Sequence, residues 1–129
     1  MIVVDASVLV DALIGSARAT PVRWRLEADD LVAPDIVDVE VASALRGLAI
    51  AQRVDERAME GAVADLGRLR LQRHPPAVLI SRALSLRADL TVFDGVYVAL
   101  AEALDCPLIT FDPRIAAAPG IRCSVEIPG

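Results

Sequence analysis

The chain has 129 residues, a formal net charge of −5 and 13 basic residues, all of which are arginines. This length suits one domain whose core folds without disulfide staples. The acidic balance argues against a surface covered with nucleic-acid-binding patches. The absence of lysine excludes a P-loop nucleotide site, a Schiff-base enzyme, and the phosphatases and signalling receivers that need an invariant lysine.

Hydrophobic residues make up 55% of the chain and aromatic residues only 3%. Aliphatic side chains must therefore fill the core, as in a parallel sheet covered on both faces. Cys106 and Cys123 lack metal-ligand spacing and are too few for a disulfide framework, so we expect reduced thiols. No uncharged stretch approaches the roughly 20 residues that span a bilayer, and no signal-peptide core follows Met1. We expect a cytoplasmic domain with no membrane segment.

Short strands alternate with helices in the first half of the chain. Thr20-Pro21, a cap followed by proline in the first turn, is one clear helix start. We expect Trp24, in the helix that follows, to pack in the core. The predicted elements are a strand over 2–4, a helix from Val8 to about Gly15, a helix from Thr20 to about Asp29, a strand over 31–33, a helix from its cap Asp35 to about Gln52, and a helix from Asp55 to about Arg68.

The same alternation continues to the end of the chain. Thr91 caps a helix whose apolar face carries Phe93, Val96 and Leu100, and Pro107 ends it because proline disfavours helical geometry in the preceding residue. The other predicted elements are a half-exposed strand over 69–72, a surface loop with His74, a helix from Pro76 to about Arg87, a strand over 108–111 and a strand over about 122–127. Residues 1–129 are thus predicted to form one α/β domain, a three-layer α/β/α sandwich with a mostly parallel central sheet.

Four acidic residues from distant parts of the chain are expected at one edge of this sheet. Asp5 and Asp112 each follow an apolar strand, and ligand sites in open parallel sheets form beyond the carboxyl ends of the strands. Asp94 begins a helix that leaves the same edge, and Glu40 lies one turn inside its own helix. Clustered carboxylates repel one another, and a divalent cation offsets that repulsion. Oxygen ligands alone select a hard ion, Mg²⁺ or Mn²⁺.

Each aspartate also has a purely structural explanation. Asp5 and Asp112 are favoured helix N-caps. Asp94, three residues after Thr91, fits the acid of a capping box. Each of these signals is weak alone, and their joint placement favours a shared site.

Glu40 and two hydroxyl residues are further candidates for this site. A carboxylate within an apolar stripe costs several kcal/mol unless it is paired, which favours a functional role for Glu40. Its structural alternative is an ion pair with an arginine such as Arg46. Ser7 and Thr110 flank the acids, where they would orient a carboxylate or a water molecule. Capping and strand packing explain these two hydroxyls almost as well.

Three segments resemble the PIN-domain ribonucleases and, among them, the toxins of VapBC-type toxin–antitoxin pairs. They read VVDASVLVD, IVDVEVASAL and FDGVYVALAEALDCPLITFDPRI, and the resemblance as a whole extends over nearly the whole chain. The third is the most specific, with an aspartate, a tyrosine three residues later, ALAE, and a strand that reaches Thr-x-Asp. Gly95 stands where the family more often has alanine, and Arg114 and Ile115 occupy a region where some members carry a further acid.

The resemblance implies a function and a set of catalytic residues. Asp5, Glu40, Asp94 and Asp112 match the family's acidic quartet, and Thr110 matches a hydroxyl residue that often lines the site. Asp5, Asp94 and Asp112 would hold Mg²⁺, for which Mn²⁺ can substitute, and the metal would activate water for hydrolysis of RNA phosphodiester bonds. The implied protein is a homodimeric endoribonuclease toxin that is inhibited by a cognate antitoxin.

Two other functions are compatible with parts of this pattern. A receiver-like signalling domain also gathers acids at strand ends, but it needs an acidic pair after the first strand and a late lysine. Ser7 and the absence of lysine argue against it. A PIN-like module that binds RNA or protein without cleaving it is the stronger alternative, although the presence of all four acids favours activity.

Overall fold

A five-stranded sheet, parallel throughout, forms the centre of a computed structural model that describes residues 1–129. The strands lie in the order β3-β2-β1-β4-β5. Every residue of β1 and β2 is buried, as expected where helices cover both faces of a parallel sheet. The strands are β1 (Ile2–Val4), β2 (Leu31–Pro34), β3 (Leu71–His74), β4 (Leu108–Ile109) and β5 (Val125–Glu126).

Seven α-helices flank the sheet and complete the predicted three-layer architecture. They are α1 (Ala6–Leu13), α2 (Arg23–Ala28), α3 (Val37–Ile50), α4 (Glu56–Arg68), α5 (Ile80–Ser85), α6 (Val92–Leu104) and α7 (Pro113–Ala117), with short 3-10 segments at Ala17–Val22 and Ala77–Leu79. Helix α6 packs against β1, β2 and β4, whereas α1, α3 and α4 pack against one another. None of these helices has the length and apolar character needed to cross a membrane.

The strand order places a topological switch between β1 and β4. The chain passes from β1 to β2 on one side, and β4 is added on the other side of β1. Val4 is in register with Ile109, and the Asp5 N–H donates to the Ile109 carbonyl at 3.0 Å. Ligands in such sheets bind at the switch, beyond the carboxyl ends of the strands. Asp5 and the residues after β4 therefore lie side by side at that position.

Helix α6 is capped as predicted, but it is buried more evenly than its apolar stripe indicated. The Thr91 hydroxyl accepts a hydrogen bond from the Asp94 N–H at 3.2 Å. Seven successive residues from Gly95 to Ala101 are buried, because this helix lies across the middle of the sheet. Phe93, predicted in the core, is 60% exposed in the first turn of the helix.

Two predicted helix starts are wrong. The segment that follows Ser16 first forms the 3-10 turn, with the Ser16 hydroxyl accepting from the Arg18 N–H, so Thr20 lies inside this turn and caps nothing. Asp35 does not cap α3, which begins two residues later without a side-chain cap. The Asp35 N–H instead donates to the His74 carbonyl at 2.8 Å and continues the ladder between β2 and β3.

The predictions for residues 69–74 and for Trp24 also need correction. Strand β3 begins at Leu71, two residues later than predicted, and His74 is its last residue rather than part of a loop. The His74 Nε2 atom is buried and has no hydrogen-bond partner. Trp24 is 64% exposed, because α2 is a short helix with no buried residue.

Close packing of α5 on α6 explains the glycine at position 95. A Cβ atom at Gly95 would lie 3.0 Å from both Cα and Cβ of Ala83 and 3.1 Å from its carbonyl oxygen. These atoms belong mostly to the backbone of α5 and have little room to move. The glycine therefore lets α5 approach the turn that carries Asp94.

We predict that Gly95→Ala destabilises the protein although alanine is the better helix former. Overpacking costs about 1–3 kcal/mol, which outweighs the roughly 1 kcal/mol gained from helix propensity. Gly61→Ala on α4, where a Cβ meets nothing within 4 Å, is the matched control and should gain up to about 1 kcal/mol. Urea unfolding of both variants measures the difference. A gain in stability for both would show that α5 shifts freely.

Candidate acidic site

Asp5 occupies the N-cap position of α1, but its carboxylate does not cap the helix. Its Oδ2 atom accepts hydrogen bonds from the Ser7 hydroxyl at 2.8 Å and from the Thr110 hydroxyl at 2.7 Å. The residue is only 8% exposed. Because both hydroxyls bond the same oxygen, the carboxylate is held in one orientation with Oδ1 free of protein donors.

The two hydroxyls are themselves fixed by the segment that follows β4. The Phe111 N–H donates to the Ser7 hydroxyl at 3.2 Å, and the Asp112 N–H donates to the Thr110 hydroxyl at 3.0 Å. Each hydroxyl therefore accepts from this segment and donates to Asp5. These side-chain bonds take the place of strand pairing, which accounts for the end of β4 at Ile109 rather than at the predicted residue 111.

Glu40 is paired with a tyrosine and not with Arg46, the partner that the structural alternative required. The buried Tyr97 hydroxyl donates to Glu40 Oε1 at 2.7 Å. Burial raises the pKa of Glu40, the Tyr97 bond lowers it, and the charges of Asp5 and Asp94 raise it again, with a net upward shift. Burial and the negative charge of Glu40 both raise the pKa of Tyr97, so this hydroxyl remains a neutral donor.

Asp94 faces the same group of charges. Burial raises its pKa, Thr91 lowers it, Asp5 and Asp112 raise it, and Arg114 lowers it, with a net upward shift. Thr91 caps α6 through the Asp94 N–H, but no backbone N–H donates to the Asp94 carboxylate. The capping box is therefore only half formed, and capping does not account for this carboxylate.

Asp112 is the one aspartate for which the capping interpretation is correct. Its Oδ1 atom accepts from the Arg114 N–H at 2.9 Å at the start of α7. The Arg114 guanidinium also binds this carboxylate, with Nε 3.1 and 3.2 Å from its two oxygens and Nη2 2.6 Å from Oδ2. The Arg114 side chain is the main cause of the lowered pKa of Asp112.

The four acids are close enough to influence one another's charges, but they do not converge on one metal-binding position. Asp5 acts on Glu40 and Asp94, and Asp112 acts on Asp94. No three Asp, Glu, His or Cys side chains converge closely enough to hold a metal ion as they stand. The donor chemistry nevertheless fits a hard cation, because the site offers carboxylate and hydroxyl oxygens and no histidine or thiolate. A cation would also relieve the repulsion that raises two of the pKa values.

Two residues that contact these acids received no role from the sequence. Tyr97 lies three residues after Asp94 on α6, so a helical wheel places both on one side of the helix. The sequence shows that Tyr97 lies in the segment that contains ALAE, but it does not reveal the partner Glu40, which is 57 residues away. Arg114 stands two residues after Asp112, and its guanidinium pairs with that acid beside the backbone cap at the start of α7.

We predict that Glu40→Gln raises the melting temperature at pH 7. The pKa of Glu40 is raised in the folded state, so its contribution to stability is fully present below the ordinary pKa and is lost as the pH rises through the raised one. Glutamine keeps the shape and an acceptor for Tyr97 while removing the charge. The gain should disappear below about pH 4, where the wild-type carboxyl is protonated. Thermal unfolding at both pH values, with exposed Glu60→Gln as control, measures it. A lower melting temperature at pH 7 contradicts the prediction.

We predict that Tyr97→Phe destabilises the protein and raises the pKa of Glu40 further. The variant keeps the buried ring but leaves Glu40 Oε1 without its donor, which costs about 1–3 kcal/mol. Urea unfolding gives the free energy, and carboxyl NMR titration gives the pKa of Glu40. An unchanged pKa would show that the bond does not hold the carboxylate in solution.

Comparison with known proteins identifies the family. Residues 2–121 match the PIN domain family. The chain is 41% identical over 127 residues to Ribonuclease VapC1 of Mycobacterium tuberculosis, which covers 97% of this chain and 96% of that protein. Curated relatives at this level of identity are thus matched over their full length.

Solved structures of related proteins share the fold. A crystal structure of Mycobacterium tuberculosis VapC20, described as a sarcin-ricin loop cleaving toxin, matches with a TM-score of 0.70 at 18% identity over 92% of this chain and 95% of that one. A toxin–antitoxin complex from Klebsiella pneumoniae matches with a TM-score of 0.65 at 20% identity over 100% and 98% of the two chains. With a family match over residues 2–121 and full-length relatives named VapC ribonucleases, the chain belongs to the PIN domain family.

Proposed function

We propose that this protein is a metal-dependent endoribonuclease that acts as the toxin of a toxin–antitoxin pair. The observation that carries the proposal is the group of four acids at the β1/β4 switch, in a chain whose full-length relatives are named VapC ribonucleases. Groups with perturbed pKa values in such a position are candidates for catalysis.

Within this proposal the acids have distinct roles. Asp5, Asp94 and Asp112 would hold Mg²⁺, or Mn²⁺ in its place. The bound ion would lower the pKa of water and stabilise negative charge on the scissile phosphate. Asp5 is already oriented by Ser7 and Thr110, with Oδ1 free.

Glu40 is suited to receive a proton. Tyr97 holds Oε1, which leaves Oε2 free of protein donors, and burial raises the pKa of the carboxyl towards the working pH of a general base. The site has no histidine that could take this role, because the only one, His74, ends β3 on the far side of β2.

The electrostatics favour cleavage over a module that only binds RNA or protein. A binding surface for RNA gains affinity from positive charge, whereas this site gathers four acids. Their mutual repulsion lowers stability unless a cation is present, and proteins retain such conflicts mainly at functional sites. A module that only binds RNA would gain no affinity from them.

The proposal extends to substrate and partners. The substrate would be an RNA loop or single strand whose backbone can enter the acidic site. The toxin would work in the cytoplasm as a homodimer and be neutralised by a cognate antitoxin, in keeping with the toxin–antitoxin complex among its structural relatives.

We predict that the protein cleaves RNA with Mg²⁺ or Mn²⁺ but not with EDTA. Asp5→Asn should reduce the rate about 100-fold or more, as when a group that stabilises developing charge is lost. Asp65→Asn, the same charge change on exposed α4, should cleave at the wild-type rate. Gel analysis of a total RNA pool follows the reaction.

The three proteins are purified identically. Equal cleavage by wild type and Asp5→Asn would identify a contaminating nuclease. Metal binding by the wild type without cleavage of any RNA in the pool would support the binding module instead.

A further inference from the structure

We propose that Arg114 is a built-in counter-ion that competes with the divalent cation for Asp112. This inference rests on the metal site of the proposed function and adds a residue that sets its affinity. It predicts that the protein holds its cation less tightly than its four acids alone would allow.

The Arg114 guanidinium forms a bidentate ion pair, called the fork below, with both carboxylate oxygens of Asp112. Arg114 Nε lies 3.1 Å from Asp112 Oδ1, and Nη2 lies 2.6 Å from Oδ2. A guanidinium in this bidentate arrangement uses the lone pairs that a cation would need. A cation that binds this face of the Asp112 carboxylate must therefore displace the guanidinium.

The charge of Arg114 also extends into the acidic site. The same guanidinium acts favourably on Asp94, whose carboxylate is otherwise repelled by Asp5 and Asp112. One positive charge thus partly neutralises two of the three proposed metal ligands. In a chain with no lysine, and with no other arginine bonded to any of the four acids, Arg114 is their one cationic partner.

The guanidinium is not required to hold the fold at this point. The cap of α7 is made by the Arg114 backbone N–H, 2.9 Å from Asp112 Oδ1, and any residue at this position retains it. Apart from Asp112, the Arg114 side chain has no hydrogen-bond partner. The guanidinium therefore acts mainly through its positive charge, which stabilises the ionised forms of Asp112 and Asp94.

The pair is also weak enough to open. The Arg114 side chain is 75% exposed, and exposed ion pairs contribute little because water and salt screen them. A divalent ion carries twice the charge and binds several carboxylates together. Arg114 therefore shifts the concentration at which the cation binds and does not block the site.

The test is a Mn²⁺ titration of apo protein by calorimetry. Arg114→Ala should bind Mn²⁺ about 2- to 5-fold more tightly than wild type, the ratio that corresponds to the loss of an exposed ion pair. Arg114→Lys, which keeps the charge but loses the fork, should lie between them. Arg68→Ala is the matched control, since Arg68 is 74% exposed and pairs with Asp65 on α4 away from the site.

Arg68→Ala should leave the affinity unchanged, which separates the local pair from the change in net charge. The Mg²⁺ concentration for half-maximal RNA cleavage should fall in Arg114→Ala by the same factor as the Mn²⁺ dissociation constant. Thermal unfolding in EDTA checks that each variant is folded.

The outcomes separate this inference from the function on which it rests. Equal or weaker Mn²⁺ binding by Arg114→Ala, with clear binding by wild type, overturns the competition and leaves the metal site intact. Binding by neither protein overturns both. Binding by Arg114→Ala alone supports the competition in its strongest form.

Discussion

The hydrogen bonds to one oxygen of Asp5 are the interaction on which the acidic site depends. Ser7 and Thr110 both donate to Oδ2, and each accepts a backbone N–H from the segment after β4. This arrangement ties the carboxyl ends of β1 and β4 together at the switch in strand order. It fixes Asp5 and holds the segment that leads to Asp112 at the start of α7. Glu40 on α3 and Asp94 on α6 approach Asp5 from other parts of the chain.

The acids are held together at a cost in stability. Burial and the charge of Asp5 raise the pKa of both Glu40 and Asp94, which means that their ionised forms are less favourable in the fold than in water. The core that resists this repulsion is the apolar sheet with α6 across its middle. A rigid scaffold that keeps carboxylates close together is suited to bind a cation, because the positive charge offsets the repulsion between them.

Two neighbours adjust the acids in opposite ways. Tyr97 is buried and neutral, and its hydroxyl fixes the orientation of Glu40 without offsetting its charge. Arg114 is exposed and charged, and it offsets Asp112 without being fixed by other contacts. The buried partner therefore fixes the orientation of its acid, whereas the exposed partner provides a charge that, in our proposal, a divalent cation displaces.

The α/β architecture and the proximity of the four acids could both be predicted from the sequence alone. Short apolar runs predicted the strands. Because Asp5 follows β1 and Asp112 follows β4, both were expected at the same edge of a parallel sheet. Ser7 and Thr110, which the sequence had placed beside the acids, both donate to Asp5. Only the tertiary structure revealed that Tyr97 rather than Arg46 pairs with Glu40 and that Phe93 is exposed. The Thr91 cap of α6 depends on near neighbours in the chain and was predicted correctly, whereas the caps expected at Thr20 and Asp35 do not form. Pairings across 57 or 105 residues depend on how the helices pack on the sheet, which no local pattern encodes.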